Sequence, residues 1–407
     1  MLRRHVLTGL VAGAAVAFAA GHGKVAIAED NPIRVGFAVA ESGWMAPWDT
    51  PTTKAAILKI EEINAAGGLL GRQIEYDIRD TKTEAEGSAK AGAELVSEGA
   101  DLLVVSADYD FGAPAALAAD AAGKIAISLA AGDPKMGIQG VGPYSFTMGN
   151  AAQTEGIIMA EWGYNEKGFR TAYVLEDDII EYNKSCCAGF RAAWKAIAGE
   201  EALLGEDVYK NTDASIAAQV TRIKALETPP DLIYICSYPP GAAMAIRQIR
   251  GAGIDTTILG NLGMGGPFWL SSVPGLSNYY AISYMTLFDD DPRPEVRAFQ
   301  DSYKKRWNED PQTSYIGNGY SVIQAWSRAV ERAGTTDADP VLAEMEKFNE
   351  EPLLIGPTTF TNELHIQTHR PQLIVQVEDG KMSPLKLYRN EYIPPFELLF
   401  RIGEYAN

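Results

Sequence analysis

The stretch Ile33-Arg34-Val35-Gly36-Phe37-Ala38-Val39, followed by a segment with apolar residues at Ala55, Ala56, Ile57, Ile60 and Ile63 that stops at Gly67-Gly68, decides the fold class. The first part is rich in β-branched and aliphatic residues and reads as a strand. The second has helical spacing from Thr52 to Ala66 and ends at a glycine pair able to leave the helix. A strand that runs into an amphipathic helix is half of a βαβ unit, and its repetition builds a parallel sheet.

Outward from that unit the alternation continues. Gln73 to Ile78 reads as the next strand, Glu84 to Glu98 as a helix, and Leu102-Leu103-Val104-Val105 as a strand covered on both faces, since it does not alternate. Ala115 to Ala122 is predicted helical, Ile125 to Leu129 a strand, and Tyr144 to Met148 a connection. The pattern then restarts with a helix at Thr154 to Trp162, a strand at Thr171 to Leu175 and a helix at Lys184 to Ala198. Strands at Leu232 to Cys236 and Thr257 to Leu259 flank a helix at Ala242 to Ala252. Tyr279 to Met285 is strand-like, Glu295 to Trp307 and Tyr320 to Ala333 are helical, and Thr358 to Tyr388 alternates as hairpins do. The expected architecture is α/β, with two doubly wound parallel-sheet lobes.

A chain of 407 residues suits two such lobes better than one core. Its formal charge of −18 is spread along the chain, and no basic stripe is present to neutralise a phosphate backbone, so nucleic acid is not an expected partner. Arg3 and Arg4, the apolar run Val6 to Ala20 and the small residues after it read as an export signal cleaved after Ala19 or Ala28, of which Ala28 fits better because Glu29-Asp30-Asn31-Pro32 then leads into the strand at Ile33. Arg3-Arg4-His5-Val6-Leu7 also loosely fits a twin-arginine signal. Removing residues 1–28 leaves 32 basic against 53 acidic residues, a balance of −21. No later stretch reaches the roughly 20 apolar residues of a membrane span, so the expected product is a soluble protein of the periplasm. Cys186, Cys187 and Cys236 give no legible disulfide framework; the adjacent pair reads as small apolar residues of a helix.

In open parallel sheets ligands bind beyond the carboxyl ends of the strands. The loops there hold Trp44 and Trp48, then Asp108, Tyr109 and Asp110, then Ala130, Ala131 and Gly132; later come Glu181, Tyr182, Tyr238 and Leu262. Two tryptophans, several tyrosines and several carboxylates suit stacking on a small ligand. Catalytic and cofactor sets are missing. The first loop has only Gly43 where a dinucleotide fingerprint needs three glycines. Gly260 to Gly266 reads as a flexible turn. Processing leaves His365 and His369, expected on a surface hairpin whose strand spacing of about 13 Å suits no shared metal ion. No nucleophile elbow accompanies them. Neither an enzyme, a cofactor nor a metal is expected.

Ala55, then Ile63-Asn64-Ala65-Ala66-Gly67-Gly68-Leu69-Leu70-Gly71-Arg72, a strand and Asp80 together resemble the leucine/isoleucine/valine-binding proteins, periplasmic receptors of the branched-chain amino acid class of ABC importers. Gly123 with the strand to Ser128, and Tyr238 with Ile246-Arg247-Gln248-Ile249-Arg250-Gly251-Ala252-Gly253, match as well. The resemblance implies a type I periplasmic binding fold with a three-crossover hinge near Thr147, Ser283 and Ile355. It divides the mature chain into residues 29–148 with 283–355 and residues 149–282 with 356–407. It also implies a solute captured between the lobes and handed to a membrane permease; the alternative within the same fold is a ligand-sensing receptor or regulator.

In amino-acid-binding members a serine and a threonine hold the α-carboxylate and a glutamate takes the ammonium. Tyr109, Gly132 and Leu262 fall at those three positions here, whereas Tyr238 matches a binding-site tyrosine and Glu181 or Tyr182 another contact. Poorly paired charges at both ends of an amino acid would cost about 1–3 kcal/mol each. The loops therefore suit a cationic, amide-bearing or aromatic solute better than a standard α-amino acid.

Overall fold

The structure, a computed structural model, describes residues 31–406; the export signal read in residues 1–28 lies outside them. The first sheet is formed by β1 (Ile33–Val39), β2 (Ile74–Asp80), β3 (Leu102–Val105), β4 (Ile125–Ser128) and β5 (Ser145–Thr147), in the order β2-β1-β3-β4-β5 and parallel throughout. The strands β3 and β4 are buried at every position. Their unbroken apolar runs fit, because α1 (Ala46–Ala65), α2 (Ala85–Ser97) and α3 (Tyr109–Ala121) cover both faces.

After β5 the chain enters α4 (Ala152–Asn165) and builds β6 (Ala172–Asp177), α5 (Glu181–Ala198), β7 (Leu203–Tyr209), α6 (Ala217–Lys224), β8 (Leu232–Cys236), α7 (Gly241–Gly251), β9 (Thr257–Gly260) and β10 (Tyr279–Ser283). It then returns through α8 (Pro294–Trp307) and α9 (Ile316–Ala333), which pack on α1, and through α10 (Ala338–Met345). A small hairpin of β11 (Glu351–Leu353) and β12 (Gly356–Thr358) precedes β13 (Gln372–Glu378), β14 (Lys381–Tyr388) and α11 (Phe396–Leu399). The second sheet has the order β14-β13-β10-β9-β8-β6-β7, with β13 and β14 antiparallel at one edge.

Three connections join the sheets: after Thr147, after Ser283 and beyond the β11–β12 hairpin. Arg370 gathers them. Its buried guanidinium donates to the carbonyl of Met148 (2.8 Å), Asn150 Oδ1 (3.1 Å) and Thr358 Oγ1 (2.8 Å), while the Asn150 N–H reaches the Tyr284 hydroxyl (3.3 Å). A buried cation satisfied by carbonyls and amides fixes where these strands of chain cross.

Several expectations are corrected. The helices α1, α3 and α5 begin six, six and three residues earlier than their apolar periodicity suggested, so Trp48, Tyr109, Asp110, Glu181 and Tyr182 stand on first turns and not in loops. Capping explains α3: the Asp108 carboxylate accepts the Asp110 N–H at 2.9 Å, and that polar signal lies outside the hydrophobic stripe. The segment Tyr144 to Met148 contains strand β5. The edge strand β7, with its Glu206 and Asp207, carried no apolar run to read. The alternation from Thr358 resolves into a hairpin only from Gln372.

His365 is buried and not on a surface hairpin: its ring stacks on Phe146 at 3.7 Å and its Nδ1 lies 2.9 Å from the Ser145 carbonyl. His369 is exposed. Cys187 is bonded to Cys236, which joins α5 to β8, and only Cys186 is a free thiol. Sequence neighbours on a helix point to different sides, and that separates the two cysteines. The helices α4 and α5 approach so closely that a Cβ on Gly189 would meet the Gln153 carbonyl oxygen at 2.0 Å, and one on Gly156 would meet that of Cys186 at 2.1 Å. No helix among the described residues is long and apolar enough to cross a membrane.

Candidate functional site

The carboxyl ends of both sheets face a common cavity between the lobes. Trp44, Met45, Trp48, Ala107, Asp108 and Ala130 line it from the first lobe. Ile180, Tyr182, Tyr238 and Gly263 line it from the second, and Tyr315, just before α9, completes it.

Local chemistry explains how these side chains are held. The loop carrying Trp44 turns at Gly43 (φ +84°), where a Cβ would meet Thr83 Oγ1 at 2.5 Å. Asp80 Oδ1 accepts the N–H groups of Glu41 and Ser42, and Thr83 Oγ1 accepts that of Met45 at 3.2 Å. Asp49, fully buried on α1, accepts the Ala40 and Ala107 N–H groups at 2.9 Å each, and so joins the loops after β1 and β3. Burial raises its carboxyl to about 6, although both of those hydrogen bonds favour the charged form.

Aromatic rings dominate the cavity. Trp44 stacks on Tyr238 across the lobes, with centroids 4.7 Å apart and planes at 23°. Trp48 meets Tyr238 edge-on at 6.3 Å and Phe268 at 5.2 Å, and Phe111 backs Trp44 at 5.5 Å. Asn211 fixes the Tyr238 backbone by donating to its carbonyl (2.7 Å), and Asp177 on β6 accepts from both Asn211 and Ser237.

Two carboxyl groups stand at or behind this wall. Asp108 is 5% exposed and lines the cavity. Burial first, and then the charge of Asp110, push its carboxyl well above the usual range. Glu155, fully buried on α4, accepts the Tyr182 hydroxyl (2.7 Å) and the Leu262 N–H (3.0 Å), and burial raises it to about 7. Tyr182 Oη in turn accepts the Gly263 N–H at 3.1 Å.

A polar cluster closes the mouth. Glu181 pairs with Lys135 (2.6 Å), Lys184 (3.1 Å) and Arg401, and its N–H donates to Asp110 Oδ2 at 3.1 Å. Ser185 donates to Asp133 at 2.9 Å.

Of the twelve residues read from sequence, Trp44, Trp48, Asp108, Ala130, Tyr182 and Tyr238 line the cavity. The other six do not. Tyr109 turns its ring toward Lys135, with Nζ 5.9 Å from the centroid. Asp110 and Glu181 bond to each other at the mouth. Ala131 and Gly132 are buried outside the lining, where a Cβ on Gly132 would meet the Tyr182 ring at 3.1 Å, and Leu262 offers only its backbone, to Glu155. Met45, Ala107, Ile180, Gly263 and Tyr315 were not singled out from sequence; Tyr315 lies in a connection with no strand before it, so strand-end logic passes it over.

Residues 32–381 match the family model described as periplasmic binding protein. The chain belongs to the periplasmic binding protein family. Curated relatives in it include a Leu/Ile/Val-binding protein of Rhizobium johnstonii, 23% identical and covering 81% of this chain and 87% of its own. A leucine-, isoleucine-, valine-, threonine- and alanine-binding protein of Pseudomonas aeruginosa is also 23% identical, over 79% of this chain and 84% of its own. Among solved structures, the branched-chain amino acid transporter substrate-binding protein LivJ of Streptococcus pneumoniae, in complex with isoleucine, superposes with a TM-score of 0.78 at 25% identity. It covers 88% of this chain and 100% of its own. A solute-binding protein of an ABC transporter from R. palustris, in complex with benzoate, gives 0.72 at 19% identity over 88% of this chain and 96% of its own. This periplasmic binding protein therefore has the type I fold expected from its sequence. It is a solute-binding protein akin to those that serve branched-chain amino acid ABC importers.

Proposed function

We propose that this protein captures a small solute in the cavity between its lobes and delivers it to the permease of an ABC importer, releasing it chemically unchanged. It works in the periplasm after export and loss of residues 1–28, with residues 29–148 and 283–355 forming one lobe and residues 149–282 and 356–407 the other. The observation that carries this reading is the Trp44–Tyr238 stack, in which one ring from each lobe closes over a cavity walled by both. Such a site binds by hinge closure, since neither lobe holds a complete wall. The solute is an amino acid or a related small amide, cationic or aromatic molecule.

A thermal-shift screen over amino acids, amides, betaines, polyamines and aromatic acids tests it. A true ligand stabilises the native state by RT ln(1 + [L]/Kd), about 2.7 kcal/mol at one hundred times Kd. Quantitative recovery of that solute after long incubation is expected. Turnover of the solute, or a flat response to every class together with no solute retained through purification, would overturn the reading.

A further inference from the structure

Asp108 is the one acid among the cavity's lining residues, and it is buried. Among the described residues no lysine, arginine or histidine pairs with it; its carboxyl accepts only backbone N–H groups of the first turn of α3, those of Asp110 and Phe111. The charged groups packed around it are mostly of its own sign: Asp110 on α3 and Asp49 on α1. The basic side chains nearest the mouth are already engaged, Lys135, Lys184 and Arg401 with Glu181, and Arg401 also with Asp133 at 3.7 Å. A buried carboxylate without a counter-charge is costly, and a cation entering the cavity would supply one.

The lining offers an anion no counter-charge, only the neutral indole N–H and phenol O–H donors of its tryptophans and tyrosines. It holds no lysine, arginine, histidine, serine or threonine. The N-terminus of α3, which could present N–H groups to a carboxylate, is capped by Asp108 itself. What the lining does offer is aromatic rings: Trp44, Trp48, Tyr182, Tyr238 and Tyr315. Aromatic faces with one carboxylate recognise alkylated ammonium groups, whose charge is spread over apolar methyls or methylenes.

We infer that the solute is a compact organic cation, an alkylated ammonium lacking a carboxylate, held with its charge against Asp108 and its alkyl groups against Trp44, Trp48, Tyr238 and Tyr315. This rests on the solute-capture reading and narrows it.

Isothermal titration of the mature protein with tetramethylammonium, choline and butylammonium tests the assignment, with 3,3-dimethylbutan-1-ol as the neutral counterpart of choline and with L-leucine and benzoate as carboxylates. At least one cation of the series should bind. If it is choline, the neutral counterpart should bind at least tenfold more weakly, and leucine and benzoate should give no heat above dilution. D108N keeps the helix cap. It should fold as the wild type does by circular dichroism and lose tenfold or more in cation affinity. Binding of leucine or benzoate in preference to every cation, or an unchanged cation affinity in D108N, overturns the cation assignment and leaves solute capture standing. Failure of every cation to bind overturns the cation assignment as well, while solute capture falls only if the wider thermal-shift screen is also flat and no solute is retained through purification.

Discussion

The indole of Trp44 lies face to face with the ring of Tyr238, 4.7 Å between centroids, although the two residues are carried by different sheets. Trp44 is fixed from below by the Asp80 and Thr83 contacts of its loop, and Tyr238 by Asn211. Closing the cleft brings two preset rings together.

Removal of one ring should therefore act on closure more than on folding. Trp44 is only partly buried, so Trp44→Ala should leave the melting temperature of the free protein nearly unchanged. An aromatic pair contributes about 0.5–1.5 kcal/mol beyond its buried area, so solute affinity should drop roughly two- to tenfold by titration calorimetry. An unchanged affinity would show that the stack does not form over bound solute.

Glu155 predicts a pH dependence. Its carboxyl sits at about 7 against an ordinary 4.5, because burial disfavours the charge more than the Leu262, Tyr182 and Cys186 hydrogen bonds favour it. The native state then holds more protons than the unfolded chain between about pH 4.5 and 7. Its contribution is complete below that window and is lost as pH rises through it. Asp49 acts in the same direction between 3.8 and about 6. Glu155→Gln should flatten the upper part of the profile, reducing the loss between pH 5 and 8 by on the order of 1–3 kcal/mol in denaturant titrations. A profile identical to wild type would sink the assignment.

The Cys187–Cys236 bond closes a sequence separation of 49 residues between α5 and β8. Its loss should cost about 2–4 kcal/mol, chiefly by freeing the unfolded chain. The double variant C187S/C236S should melt lower than wild type under oxidising conditions and lose the destabilisation that reductant causes. Thiol titration of the denatured wild-type protein should count one free group, Cys186.

The cluster at the mouth predicts salt sensitivity. Burial pushes Glu181 upward, but the hydrogen bond from Lys135 and the charge of Arg401 outweigh it and hold the carboxyl at about 2. Its contribution is present above about pH 4.5 and is lost as pH falls toward 2. Glu181→Ala should favour the open form, giving a larger radius of gyration in solution scattering and weaker solute binding. Raising the ionic strength should weaken wild type in the same sense and change the variant less.

The sequence alone determined the parallel α/β class, the family and the strand ends at which the cavity lies. Strands such as Leu102–Val105 and the Asn64 to Arg72 turn are set by local periodicity and turn chemistry, which need no partner to be read. Tertiary structure decided what meets what. Nothing local says that Asp110 and Glu181 face each other and not the solute, that Tyr315 completes the wall, that His365 stacks on Phe146, or that Cys187 finds Cys236 while Cys186 does not. Each of those is a contact across elements far apart in sequence, chosen by how helices pack on sheets and how two lobes close, and periodicity along one segment carries no record of its distant neighbour.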